Sequence, residues 1–347
     1  MMRAYLDHNA TTPLRAEARE GMIAAMDVAG NPSSVHAEGR GAKALVEKAR
    51  GQIAAALGAE GADIVFVSSA TEGAALALAG RGLHGADIEH DAVLAWVDAD
   101  LKVDQGGLVE VSDPQASTLQ IANSETGVVQ SLPDGLAVSD LTQGFGKLPL
   151  AFNWLGSQMG IVSAHKLGGP KGIGAIVMRR GTELPAQLRG GGQEMGRRAG
   201  TENVIGIAGF GAAAEAAARD LAAGLWEDVA ARRDRMEAIL LDGEPGLEIA
   251  GAGAKRLPNT SCLVTPGWKG ETQVMQMDLA GFAVSAGSAC SSGKLRASNV
   301  LRAMGYDEAA AAGALRVSLG PLTTDDETER FAMKWLAQRR KHQARAA

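Results

Sequence analysis

The chain has 347 residues, 46% hydrophobic and 21% charged, with a formal net charge of −6. That length allows a large buried core in two lobes, and the acidic balance argues against a general nucleic-acid binder. Two cysteines, Cys262 and Cys290, without a CxxC pair or a Cys/His cluster argue against a disulfide framework and a metal site, so a reducing cytoplasm is the expected setting.

The start, MMRAYLDHNATTP, lacks the apolar core of a signal peptide. No stretch approaches the roughly 18 apolar residues of a membrane span. HAEGRGAKALVEKARGQIAAALG (36–58) has the periodicity of an amphipathic helix stopped at Gly58. DIVFV (63–67), AVLAWV (92–97), TLQIA (118–122), LAVSD (136–140), MGIVS (159–163) and GAIVMR (174–179) read as strands. Several are apolar throughout, as strands covered on both faces are. TEGAALALAG (71–80) reads as a helix that starts just after a strand. If TLQIA and LAVSD are parallel neighbours, residues 123–135 must cross between them. Gly127, Pro133 and Gly135 leave no room there for a regular helix, so an irregular crossover is expected.

The Ala-rich run from Glu202 to Met236 reads as two long helices or one kinked helix. After it the elements shorten and mix: LEIAG, NTSCLV, a helix over ETQVMQMDL, FAVSA, ALRVSL and a final helix. The predicted class is α/β, with a mainly parallel central sheet in a large domain and a smaller α+β domain. The large domain is expected over 14–222 and the small one over 1–13 and 223–347.

Four features point to one ligand. VSSATEGAA (67–75) runs from a strand through a turn of small residues into a helix start, where free N–H groups and Thr71 suit a phosphate. Asp140 ends a strand, with Gln143 just beyond it. SAHK ends the next strand with Ser163, His165 and Lys166. His90 stands just before the run read as a strand, where an imidazole can lie flat on a ring. A phosphate cradle, a carboxylate, a donor, a flat group and a strand-end lysine together describe a pyridoxal phosphate (PLP) site. There the lysine forms a Schiff base and the carboxylate keeps the pyridine nitrogen protonated. Taken singly, Asp140 also fits a helix cap, His90 a satisfied core histidine and Lys166 a surface cation. Their order along the chain favours the shared site.

YLDHNATTP, NPSSVHAEGR, SSATE, EHDAVL, SAHKLGGPKGIGAI, GGGQEMGRRAGTEN, SAGSACSSG and LRVSLGPLTTDDE, taken together, resemble the cysteine desulfurases of the NifS/IscS type within the class V aminotransferases. The resemblance runs from Leu6 to about Glu327 in the family's order. It implies a PLP-dependent transferase of fold type I that works as a homodimer. It further implies an enzyme that takes sulfur from L-cysteine, releases alanine and passes the sulfur to an acceptor such as an iron–sulfur scaffold protein.

Carried over by position, the resemblance makes Lys166 the Schiff-base lysine and Asp140 the partner of the pyridinium. Gln143 becomes the donor to the cofactor's phenolic oxygen, and His90 the stacking histidine. Ala70, Thr71, Ser163 and His165 become phosphate contacts, with Thr201 a phosphate contact given to the other subunit. Arg316 becomes the clamp on the substrate carboxylate, a task suited to its planar fork. Asn9 is a candidate for the substrate pocket and equally a turn-forming residue ahead of Pro13. Cys290, in a small, polar, glycine-flanked stretch, is the expected sulfur carrier. Cys262 lies in a strand-like run and reads as a core thiol.

Two departures from the family stand out. ANSETG places Ser124 where the family has a second asparagine that touches the ring, with Asn123 before it. The segments between Trp96 and Gln120 and between Gly127 and Asp140 are shorter than the family's. The competing expectations are another class V enzyme, an aminotransferase or lyase, and a catalytically silent paralogue serving as partner subunit in iron–sulfur assembly.

Overall fold

A computed structural model describes residues 3–287 and 297–346. Strand β1 (Ala4–Tyr5) opens the chain and is followed by helices α1 (Ala16–Met26) and α2 (Ala37–Leu57). Helix α2 begins where the His36 ring accepts the Gly39 N–H and ends at Gly58, whose φ of 59° closes the last turn. Its Ala42, Val46, Ala49, Ile53 and Leu57 are buried at helical spacing.

Next come β2 (Asp63–Val67), α3 (Ala70–Leu78), β3 (His84–Ala86), α4 (Asp91–Leu94) and β4 (Asp98–Leu101). Strands β5 (Leu136–Asp140), β6 (Ser157–Ser163) and β7 (Gly174–Met178) complete the first half of the chain. The hydrogen-bonded order is β2-β7-β6-β5, parallel between β5 and β6 and antiparallel on both sides of β7. Residues 117–121 extend this sheet. Thr118 bridges Val138 in parallel and Ile121 N–H reaches Asp140 C=O at 2.9 Å. On the other side Thr118 N–H reaches His84 C=O at 2.8 Å, which joins the parallel β3–β4 pair. Only β7 therefore runs against the rest. Residues 123–135 cross over without a helix, as their glycines and proline predict.

The run 92–97 is not a strand. His90 and Asp91 start the short helix α4 there, and the strand falls on Asp98–Leu101. The burial explains the difference: only Val93 of the run is buried and Trp96 is 41% exposed, so no two-faced strand could form.

The Ala-rich run forms two helices, α5 (Val204–Ala222) and α6 (Leu225–Gly243). Helix α5 packs its small residues against α1 and α2; a Cβ on Gly211 would stand 2.6 Å from Ala49 Cα. The remaining elements are β8 (Glu248–Ile249), β9 (Thr260–Val264), α7 (Gly270–Leu279), β10 (Phe282–Ala283), β11 (Ser285–Ala286), α8 (Asn299–Ala303), α9 (Glu308–Ala312), β12 (Ala314–Ser318) and α10 (Asp325–Ala346). A second, antiparallel sheet runs β11-β12-β9-β8, and β1 pairs with β10. Trp268, Trp335, Phe331 and Phe282 fill an apolar cluster there with Leu6 from the N-terminal segment. Among the described residues no helix is long and apolar enough to cross a membrane.

Candidate active site

A cavity of about 260 Å³ opens where β5 and β6 end and α3 begins. Ala70, Thr71, His90, Asp140, Gln143, Ser163, His165 and Lys166 all line it.

At one end, extended Ser69 caps α3 by accepting the Glu72 N–H. The first helical bond runs from Gly73 N–H to Ser69 C=O, so the N–H groups of Ala70 and Thr71 precede any acceptor within the helix. The turn lies hard against β7. A Cβ on Gly174 would stand 2.6 Å from Val162 O and 3.0 Å from Ser69 C, so only glycine allows this approach. His165 also lines the cavity, its Nδ1 3.1 Å from Thr11 Oγ1. Burial, with Lys166 and Lys171 nearby, lowers its pKa to about 4, so it is a neutral imidazole near pH 7.

Also on the cavity wall, His90 caps α4: its Nδ1 accepts the Ala92 N–H at 3.1 Å, which leaves the second ring nitrogen to carry the proton. Asp140 Oδ1 accepts the Thr142 N–H at 2.9 Å. Gln143 Nε2 donates to Asn9 O at 3.1 Å. Lys166 sits in a short 3₁₀ turn after β6, and its Nζ donates to Asn9 O at 2.6 Å and Ala10 O at 2.9 Å. A doubly charged phosphate suits unpaired N–H groups at a helix start, and a protonated pyridine suits a carboxylate. With a flat imidazole and an amine in the same cavity, the residues present fit PLP.

Other candidates lie behind or away from the cavity wall. Arg316, on β12, is 1% exposed and donates from Nη2 to Asp7 Oδ1 (2.9 Å) and from Nη1 to Ser124 O (3.2 Å). Asn9 is fully buried, its Nδ2 donating to Thr260 Oγ1 and Ser124 O. Ser124 lines the cavity, so its carbonyl connects both residues to the wall. Asn123 is occupied elsewhere: its Oδ1 accepts the N–H groups of Glu125 and Thr126 and its Nδ2 donates to Ile88 O. Thr201 lies outside this cavity, in a separate hollow beside Arg198 and Glu194. Cys290 lies outside the described residues. Cys262 is fully buried, and burial pushes its thiol pKa well up.

Two buried titratable side chains carry no signal in the sequence. Lys147 Nζ donates to Gln143 Oε1 at 2.8 Å and to Asn9 Oδ1 at 3.2 Å. Glu89 Oε1 accepts the Gln120 N–H at 2.7 Å, while its Oε2 has no hydrogen-bond partner among the described residues. Burial foremost, and then the Asp140 carboxylate, raises the Glu89 pKa to about 8. Lys147 stands at no strand end, and Glu89, though it opens the EHDAVL motif, precedes a helix rather than ending a strand, so burial is what reveals both.

The family described as aminotransferase class V matches residues 4–331. This chain belongs to that family. Across 95% of its length the chain is 37% identical to 94% of a cysteine desulfurase from Cereibacter sphaeroides. It is likewise 37% identical, over 95% of its length, to 91% of a cysteine desulfurase from Klebsiella pneumoniae. A NifS-like protein from Rickettsia africae superposes with a TM-score of 0.88 at 30% identity, covering 97% of this chain and 99% of that one. These likenesses establish PLP fold type I, and PLP is the cofactor of this class V family.

Proposed function

We propose that this chain is a PLP-dependent cysteine desulfurase that converts L-cysteine to L-alanine and keeps the sulfur as a persulfide on Cys290. The observation that carries the reading is the convergence of Lys166, Asp140, Gln143, His90 and the Ala70–Thr71 turn on one cavity. Cysteine desulfurases at 37% identity give the chemistry its direction.

Bound PLP supplies an electron sink for the Cα–H and Cβ–S bonds of an amino acid joined to it. The N–H groups of Ala70 and Thr71, with Ser163 and neutral His165, would hold the phosphate. Asp140 would hold a proton on the ring nitrogen, Gln143 would donate to the phenolic oxygen and His90 would stack on the ring. The Lys166 amine takes the Cα proton and later returns it. Arg316 receives the substrate carboxylate in its fork, in place of part of its contact with Asp7. The Cys290 thiolate attacks the substrate sulfur: the carbon–sulfur bond breaks, a sulfur–sulfur bond forms, and the carbon takes a proton to give alanine. L-Cysteine and one thiol thus become L-alanine and one persulfide, which balances.

Asn9 acts from behind the wall by fixing Gln143 and Lys166, rather than by touching substrate. Thr201, placed away from the cavity of its own chain, serves the site of a second copy in a homodimer. A sulfur-acceptor protein, such as an iron–sulfur scaffold, then collects the sulfur in the cytoplasm. The division into lobes 14–222 and 1–13 with 223–347 is supported by separate apolar clusters around Phe66 and Phe210 and around Trp268 and Trp335.

Borohydride reduction of the PLP-loaded protein followed by peptide mapping tests the site. A pyridoxyl group on Lys166 alone is expected. The same group on neighbouring Lys147, or on no lysine, would overturn the assignment.

A further inference from the structure

Lys147 is a buried amine that the reaction above does not use. It follows β5 in the turn that carries Gln143 and is 3% exposed. Its Nζ sits between two amide oxygens, Gln143 Oε1 at 2.8 Å and Asn9 Oδ1 at 3.2 Å. Burial, with the nearby cations of Lys166 and Arg316, lowers its pKa well below the usual lysine value. Even the neutral amine keeps two N–H bonds, one for each oxygen, so both contacts survive loss of the charge.

An amide side chain has two ends of similar shape and opposite chemistry. With Nε2 toward the cavity, Gln143 offers N–H to an anionic oxygen; turned over, it would present a lone pair and repel it. Asn9 O takes one Nε2 hydrogen at 3.1 Å, which leaves the second for the cavity. Asn9 itself cannot turn, because its Oδ1 also accepts from Asn259 Nδ2 (3.0 Å) while its Nδ2 donates to Thr260 Oγ1 (2.8 Å).

We propose that Lys147 is a positioning residue that holds Gln143 Oε1 away from the cavity, so that Gln143 Nε2 faces the phenolic oxygen of bound PLP. The inference rests on the reading of Gln143 as donor to that oxygen. Lys147 touches neither cofactor nor substrate and acts only through the amide.

The test is a double-mutant cycle of Lys147→Met and Gln143→Leu, read as the PLP dissociation constant and the position of the visible absorption band of PLP-loaded protein. Lys147→Met keeps the apolar stem and removes both N–H donors. It should weaken PLP binding on the order of tenfold, the usual size of one lost hydrogen bond in a buried site. It should also shift the band in the same direction as Gln143→Leu. In the Gln143→Leu background it should add nothing further. A lowered melting temperature with wild-type PLP affinity and band, or effects that simply add in the double variant, would overturn the inference. Should Lys147→Met not fold, Lys147→Gln keeps a donor without the charge and should retain the wild-type band. A band displaced as far as that of Gln143→Leu would then overturn the inference. A wild-type chain that takes up no PLP would overturn the reading of the site and this inference with it.

Discussion

Glu89 is held between Gln120 and the neighbourhood of Asp140, and its chemistry there can be measured. Its carboxyl pKa is raised from 4.5 to about 8 by burial foremost, so the folded protein keeps a proton that the unfolded chain gives up. Between those two pH values the folded state binds more protons than the unfolded one, so stability falls as pH rises. Glu89→Gln removes that dependence and still offers Oε1 to the Gln120 N–H. In PLP-free protein, wild type should lose stability relative to Glu89→Gln as pH climbs from about 4.5 to about 8, then run parallel to it. Denaturant unfolding across that range reads the difference, and a constant gap would show that Glu89 is ionised throughout.

Some residues of the site were legible because strand ends and helix starts mark them in the chain. Asp140 and Ser163 end apolar strands, Lys166 lies just after one, and Thr71 stands in the first turn of a helix. Lys147 and Glu89 were not legible: a charge in a turn usually points to solvent, and nothing in the spacing says that the fold closes over these two. Ser124 departs from the family's pattern in the sequence itself. The structure adds that its carbonyl, at 3.1 Å from Asn9 Nδ2 and 3.2 Å from Arg316 Nη1, ties those two side chains to the cavity wall.

At the scale of elements, the site depends on how closely the start of α3 meets β7. Gly174→Ala places a methyl against backbone atoms of β6 and of the Ser69–Ala70 turn, neither of which can rotate away. Overpacking of this kind costs about 1–3 kcal/mol. Because the displaced atoms carry the N–H groups proposed to hold the phosphate, PLP affinity should fall along with the melting temperature. Gly41→Ala is the control, since its Cβ meets nothing within 4 Å on α2. If Gly174→Ala bound PLP as tightly as Gly41→Ala, the turn would not be part of the site.

The same scale shows where periodicity succeeds and fails. The long amphipathic pattern of α2 and the apolar runs of β5, β6 and β7 specify their elements by themselves. AVLAWV has the composition of a buried strand, yet its cap residues and single buried side chain make it helix α4. The short strands β3 and β4 carry no such pattern. His84–Ala86 exists as a strand because Thr118 and Asp98 pair with it. His90 nevertheless reaches the cavity, because a helix start fixes an imidazole as firmly as a strand end does.

At the scale of the whole molecule, the N-terminal segment joins the two sheets to the site. Ala4 and Tyr5 pair with Phe282 and Ala283, Asp7 takes the Arg316 guanidinium, and the carbonyls of Asn9 and Ala10 take Lys166. One short stretch therefore sets the distance between the cofactor cavity and the strand that carries Arg316. No helix-or-strand pattern could disclose the arrangement, because it depends on contacts between residues far apart in sequence.

The central claim is that this assembly strips sulfur from L-cysteine through Cys290. Its direct test is the alanine formed when the PLP-loaded chain meets L-cysteine, wild type beside Cys290→Ser. Wild type should give alanine with an equal amount of sulfur carried on Cys290 in a single turnover, and Cys290→Ser almost none despite bound PLP. Alanine at the wild-type rate from Cys290→Ser, or a keto acid in place of alanine from the wild type, would contradict it.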